Sequence, residues 1–429
     1  MPSPEAPTAT AGAAAAPPGF IPAVRAYRGA GYEDFQIRSM RELGVGYIEG
    51  LPDFSWAEVE PADDAWKWDA ADEQMDALAA AGLRSIAVAA FAPEGLPWDE
   101  TVPREAPRYA EEFGEFAFEM AGRYHGHPAW SGLVAVESGG PDANDSVYLT
   151  ADPETTVQLL NAAYDGIKRA DPATAVIGFN LPAAAADWEA FHDRALALEP
   201  KFDWFGVRSD GIPATWLTDP DGYGGALGLI NVRRFLNGHG FADASLWVNG
   251  AGFGGGDGQT QAEQVVEAFI LARTLGVDLR GWVYADYFTG SRRSDEGADT
   301  GLMMPLDEHD PPQARPAWHA LQTLVRQVGF FEFDYAATLS GEFNYASPPF
   351  VIKFADPNRA EHILWIVFSP PGAFGVEGYV DADLLIDISP AQEVRRIGMM
   401  GEEEVLPTDS GGTVEVKSTR SPVYLIAGG

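Results

Sequence analysis

Short apolar runs alternate along the chain with segments whose apolar residues recur every three to four positions. The runs Phe20–Ala26, VGYIEG ending its strand at Glu49, LRSIAVAAF, LVAVE ending at Glu137, AVIGF, FDWFGVRS, LWVN and GWVYAD predict eight strands. The segments Tyr32–Leu43, Asp69–Ala81, Pro107–Tyr124, Pro153–Ala170, Asp187–Leu198, Leu229–Gly238, Thr260–Leu275 and Pro316–Val328 predict helices. Punctuation supports several of them. Gly82 follows the second helix as a stop, and Asp152 precedes Pro153 as an N-cap. In Pro107–Tyr124 the residues Tyr109, Phe113, Phe116 and Met120 keep helical spacing.

Eight strands alternating with eight helices predict an α/β fold, a (β/α)₈ TIM barrel, with strands apolar enough for burial on both faces. After Gly329 the period changes. FVIKFA, HILWIVF, ADLLIDI, VEVKS and PVYLIAG are rich in β-formers and separated by turn residues. They predict a small C-terminal antiparallel β domain. The expected division is a disordered leader over 1–19, the barrel over 20–329, and a C-terminal β-sandwich domain over 330–429.

Composition narrows the function classes. The chain has 429 residues, 46% hydrophobic, a formal net charge of −36 and no cysteine. Disulfides, thiolate nucleophiles and Cys-bound metals are excluded. Phosphates would be repelled, so no nucleic-acid partner is expected. The cations are mostly arginine, with lysine only at Lys67, Lys168, Lys201, Lys353 and Lys417. This acidity fits either a high-salt host or an ordinary soluble acidic surface. No run of about 18 apolar residues occurs, so no membrane span is expected. The Pro/Ala-rich leader lacks a signal peptide's basic start and apolar run. The compartment is left open, one reading being extracellular after removal of a signal peptide. Nothing fixes the oligomeric state.

Several stretches together resemble retaining glycoside hydrolases of the large (β/α)₈ clan, in particular the β-xylosidase and iduronidase types. WAEVEPADDAWKW (Trp56–Trp68) resembles their W-x-x-x-E-P…Y-x-W segment after the second strand. APRYAEEFGEFAFEMAGRYHGH resembles their third helix with its R-Y ending. LLNAAYDGIKRADPATAVIG, QAEQVVEAFILARTLGV, ARPAWHALQTLV and the terminal SPVYLI are similar to later family segments. The likeness covers most of Leu43–Gly429. It implies two glutamates about 5 Å apart, an acid/base on the fourth strand and a nucleophile on the seventh.

Only one of the two is present. The fourth-strand pattern W-N-E-P falls on Ala135, Val136, Glu137 and Ser138, which keeps the acid/base as Glu137 and places Val136 where the family has asparagine. The seventh-strand pattern T-E-x-G falls on Asn249, Gly250, Ala251 and Gly252, so the nucleophile position is Gly250. The sixth-strand V-H-P-Y reads Val207, Arg208, Ser209 and Asp210, and the basic residue usual on the second strand is Glu49. A glycine cannot attack a sugar, so the double displacement is not expected to operate.

The candidate site therefore comprises Glu137 as acid, with Glu49, Asp53, Trp98, Arg208, Asp210, Trp216, Asn249, Tyr284 and Asp286 as ligand-binding residues. Carboxylates and an arginine bind hydroxyls by bidentate hydrogen bonds, and the aromatics, with Tyr287, offer stacking faces or core packing. No metal and no cofactor is expected. The histidines show no ligand spacing, Asp142, Asn144 and Asp145 lack that of a calcium loop, and GFGGGDGQ lacks a Walker lysine. Three functions stay open: a pseudo-glycosidase that binds a carbohydrate ligand, an active hydrolase pairing Glu137 with another carboxylate (Glu49, Asp210 or Asp286), and a structural or surface protein on a glycosidase scaffold.

Overall fold

The computed structural model describes residues 21–25, 33–52, 54–90, 95–137, 152–182, 188–209, 229–250, 258–274, 277–283, 301–304, 313–329, 331–334, 349–369, 381–389 and 391–428. Its first part alternates strand and helix as β1 (Ile21–Arg25), α1 (Glu33–Leu43), β2 (Tyr47–Glu49), α2 (Trp56–Val59), α3 (Asp69–Ala81), β3 (Arg84–Ala90), α4 (Pro107–Tyr124), β4 (Trp130–Glu137) and α5 (Pro153–Ala170). It continues as β5 (Ala175–Pro182), α6 (Trp188–Leu196), β6 (Trp204–Ser209), α7 (Leu229–Gly238), β7 (Ser245–Gly250), α8 (Gly258–Thr274), β8 (Val277–Val283) and α9 (Pro316–Val328). The eight strands are parallel and close on themselves, with β8 pairing to β1. The expected TIM barrel is the fold.

Strand alternation sorts the apolar residues into two layers. Ala23, Ile86, Val88, Leu133, Ala135, Ala175, Ile177, Trp204 and Trp247 form one buried cluster inside the barrel, with Tyr47 against it. Their neighbours Val24, Ile48, Ala87, Val134, Val136, Val176, Phe205, Val207 and Val248 pack outward among the helices. Both faces are dry, which is why these strands read as continuous apolar runs. At about 25 cal/mol per Å² of apolar surface buried, such layers dominate the stability of the fold.

Local sequence sets the helix ends. Asp152 caps α5 by accepting the Thr155 amide at 2.9 Å, and Gly82 ends α3 in a left-handed conformation at φ +74°. The R-Y ending of α4 is structural. Arg123 Nε donates to Asp72 of α3 at 2.8 Å and the Tyr124 hydroxyl donates to the same carboxylate at 3.0 Å, which ties α4 to α3. A groove lined by Trp68, Asp72, Asp76, Arg123 and His127 lies between these helices, its polar groups already bonded to one another. Helix α8 is buried on every side over Gln261–Ala272, including the polar Gln261, Glu263, Gln264 and Glu267.

The remaining strands are β9 (Glu332–Phe333), β10 (Phe350–Asp356), β11 (Arg359–Phe368), β12 (Ala382–Asp387), β13 (Glu393–Gly398), β14 (Glu403–Pro407), β15 (Thr413–Ser418) and β16 (Val423–Ala427). Six form an antiparallel sheet in the order β14-β13-β16-β11-β10-β9, and β12 pairs with β15. One face of the larger sheet, including Phe350, Ile352, Leu364, Ile366, Tyr424 and Ile426, joins the cluster that surrounds the barrel. The other face, including Trp365, Val367 and Leu425, is covered by Ile386, Val414 and Val416 of the smaller sheet. This is the expected C-terminal antiparallel domain. Among the described residues, no helix is long and apolar enough to cross a membrane.

Candidate active site at the barrel mouth

All eight barrel strands run the same way, so their C-terminal residues form one rim: Arg25, Glu49, Ala90, Glu137, Pro182, Ser209, Gly250 and Val283. In (β/α)₈ barrels the chemistry sits at this end, on strand tips and the loops that follow. Backbone register places Glu137 opposite Ala90, Arg25 opposite Glu49, Arg208 opposite Asn249, and Ser209 opposite Gly250. Four of the residues expected from sequence, Glu49, Glu137, Arg208 and Asn249, therefore lie at or next to the rim. Asp53, Asp210, Trp216, Tyr284 and Asp286 lie outside the described residues.

Glu49 is fully buried. The chain turns directly after it, with Gly50 at φ +74° donating its amide to Ile86. Ser85 Oγ then holds the Leu51 carbonyl at 2.7 Å. The carboxylate of Glu49 is thus withdrawn from solvent at the end of β2. Trp98, on the link from β3 to α4, is half-buried. It packs edge-on against Trp56 at 5.9 Å between ring centroids, and its indole nitrogen is buried. Trp56 in turn is fully enclosed by Tyr109, Phe113 and Phe116.

The glutamate of the W-x-x-x-E-P segment also has a structural place. Glu60 accepts the Trp56 indole N–H at 2.8 Å and the Asp64 amide at 3.0 Å. Burial pushes its carboxyl up to about 7, against the opposing pull of the Trp56 hydrogen bond. Glu60, Asp63 and Asp64 have carboxylate oxygens within 4.8 Å of one another, the one group among the described residues able to hold a metal ion.

Sequence reading missed the floor of the mouth. Trp204 of β6 and Trp247 of β7 stand inside the barrel, buried, and fill it below Arg208 and Asn249. The signal was present in the alternation: Trp204, Gly206 and Arg208 share a parity, as do Trp247 and Asn249. The interior is thus packed like other barrels of this type and is not a pore.

No protein-family model matches the sequence, and no curated protein does. Solved structures do match. A family 39 glycoside hydrolase from the gut symbiont Bacteroides cellulosilyticus superposes with a TM-score of 0.70 at 14% identity, over 95% of this chain and 80% of that one. The chain has a glycoside hydrolase fold. A monomeric β-xylosidase from Caulobacter crescentus aligns with this glycoside-hydrolase-like chain over 95% of both chains, at 14% identity and a TM-score of 0.58. A family 30 endoxylanase from Clostridium papyrosolvens aligns over 96% of both, at 11% identity and a TM-score of 0.58. At these identities the likeness is one of fold.

Proposed function

We propose that this glycoside-hydrolase-like barrel binds a carbohydrate in its mouth without cleaving it. One observation carries the proposal: the fourth strand ends on Glu137 while the seventh ends on Gly250. Glycine offers no carboxylate to form a covalent glycosyl intermediate. The fold shared with glycosidases supports a sugar as the ligand, and the names of the solved relatives suggest xylose-containing chains as first probes. On this view the chain divides into a leader over 1–19, the barrel over 20–329 and a β-sandwich domain over 330–429.

Calorimetric titration with xylose, xylobiose and xylotriose, run beside hydrolysis of nitrophenyl β-xyloside and β-glucoside, tests the proposal. Binding is expected, and no nitrophenol above the level given by Glu137→Gln. Release that disappears in Glu137→Gln would overturn it and favour the second reading, an active hydrolase. The full burial of Glu49 at the rim supports that alternative. An inverting enzyme would need a base such as Glu49, Asp210 or Asp286 about 6.5–9.5 Å from Glu137.

A further inference from the structure

The turn that joins β15 to β16 reaches back onto the barrel. Its Arg420 pairs through Nε with the buried Glu263 of α8. Ser421 Oγ donates to the other oxygen of that carboxylate at 2.6 Å. The Gln259 amide nitrogen donates to the same oxygen at 3.1 Å and to Ser421 Oγ at 3.0 Å. Thr419 Oγ1 donates to the Ser421 carbonyl at 3.1 Å and tightens the turn. Glu263 is thus the anion on which the turn is seated.

Glu267 lies four residues further along α8 and so shares that face of the helix. It is fully buried, and among the described residues neither of its oxygens has a hydrogen-bond partner. Two charged groups act on it: Glu263, of like charge, and Arg420, of opposite charge. Helix α9 and strand β8 also pack against α8. They carry His319 and Arg326, with Arg315 at the α9 N-cap, and Asp278 and Arg280; among the described residues none of these adds to Glu263 and Arg420. With Glu267 protonated, one buried anion meets one cation. With Glu267 ionised, a second buried anion competes for the same guanidinium and repels the first. Lifting the turn relieves both effects, because water then reaches Glu267.

We propose that Glu267 is a proton-controlled latch, which keeps the β15–β16 turn seated on α8 while protonated and releases it when ionised. Burial and the charge of Glu263 hold the Glu267 carboxyl well above 4.5 in the closed state, against the pull of Arg420. The closed state therefore keeps a proton that the opened state gives up. Closure is most favoured below pH 4.5, and the opening equilibrium rises by up to about tenfold per pH unit above it, until the closed-state pKa is passed. Hydrogen exchange of the full chain, read by mass spectrometry and corrected for the intrinsic rate at each pH, measures that equilibrium. Peptides covering the turn and β16 report the latch, and peptides of α4 report global opening. Between about pH 5 and about pH 8, the turn and β16 of the parent are expected to lose protection by up to about tenfold per pH unit, and to exchange ahead of α4. Glu267→Gln keeps the shape of the protonated carboxyl and is expected to abolish that fall. If this variant does not fold, Glu267→Leu decides by the same measure. A fall that persists in a folded variant would overturn the latch, and so would a turn that never exchanges ahead of α4.

Discussion

Glu267 is fully buried on α8, and neither carboxylate oxygen has a hydrogen-bond partner among the described residues. Burial raises its pKa well above 4.5, the negative charge of Glu263 raises it further, and Arg420 opposes them. The folded protein therefore keeps a proton that the unfolded chain releases above pH 4.5. The folded state binds more protons in that window, so stability from this residue is greatest below 4.5 and falls as pH rises. Glu267→Leu removes the unpaired carboxyl. It should raise unfolding free energy at neutral pH by about 1–3 kcal/mol and flatten the decline above pH 4.5. Denaturant titrations across a pH series would measure both effects, and an unchanged slope would count against the assignment. His192 acts in the opposite sense. It is enclosed by Phe179, Trp188, Phe191 and Phe205, and burial lowers it to about 3, so its contribution is lost as pH falls from 6.5.

At the level of elements, α4 and α5 meet through glycine. A Cβ on Gly166 would lie 2.1 Å from the Gly114 carbonyl oxygen, and one on Gly114 would lie 2.9 Å from the Ala162 carbonyl oxygen. Backbone cannot yield as a side-chain tip can. Gly166→Ala is expected to destabilise the protein by about 1–3 kcal/mol, despite the better helix propensity of alanine, as read from a shift in urea midpoint. Nothing in the spacing of apolar residues announces this contact, because glycine carries no hydropathy signal. The same limit explains what else escaped the sequence. Helices with a strong 3.6-residue stripe, such as Pro107–Tyr124 and Pro153–Ala170, were legible to the residue. Strand β8 was expected at GWVYAD but runs from Val277 to Val283, because Asp278 and Arg280 interrupt its apolar run. Strands β13 and β14 were not expected at all. They are charged, with Arg396 paired to Glu404 at 2.6 Å across the ladder. At the mouth, the strand ends of Glu137 and Gly250 were legible from motif order. The irregular pairing of β5 with β6 between Phe179 and Leu181 was not, because a break in alternation depends on the packing of neighbouring helices.

For the molecule as a whole, charge is the dominant long-range term. There are 64 acidic residues against 28 lysines and arginines. Exposed ion pairs such as Arg194–Glu154 and Lys201–Asp165 contribute at most about 1 kcal/mol each and weaken in salt. Repulsion among the excess carboxylates also weakens in salt, and it outnumbers them. Raising sodium chloride from about 0.1 M to about 1 M, which shortens the screening length from about 10 Å to about 3 Å, is therefore expected to raise the melting temperature. A fall would show that the attractive pairs prevail.

The seam between barrel and sheet has a further meaning. Glu263 of α8 pairs with Arg420, accepts the Ser421 hydroxyl at 2.6 Å and accepts Gln259 at 3.1 Å, while apolar residues of both parts share one cluster. The last strands of the chain thus complete the covering of a helix that the barrel cannot cover alone. Such a tail is poorly suited to exchange between genes as a free-standing module. A lineage that kept the eight strands while shedding the final hundred or so residues would also have had to rewrite the outer face of α8. Barrel and tail are therefore expected to have been inherited together, and any change at the barrel mouth is made inside a scaffold whose two halves depend on each other.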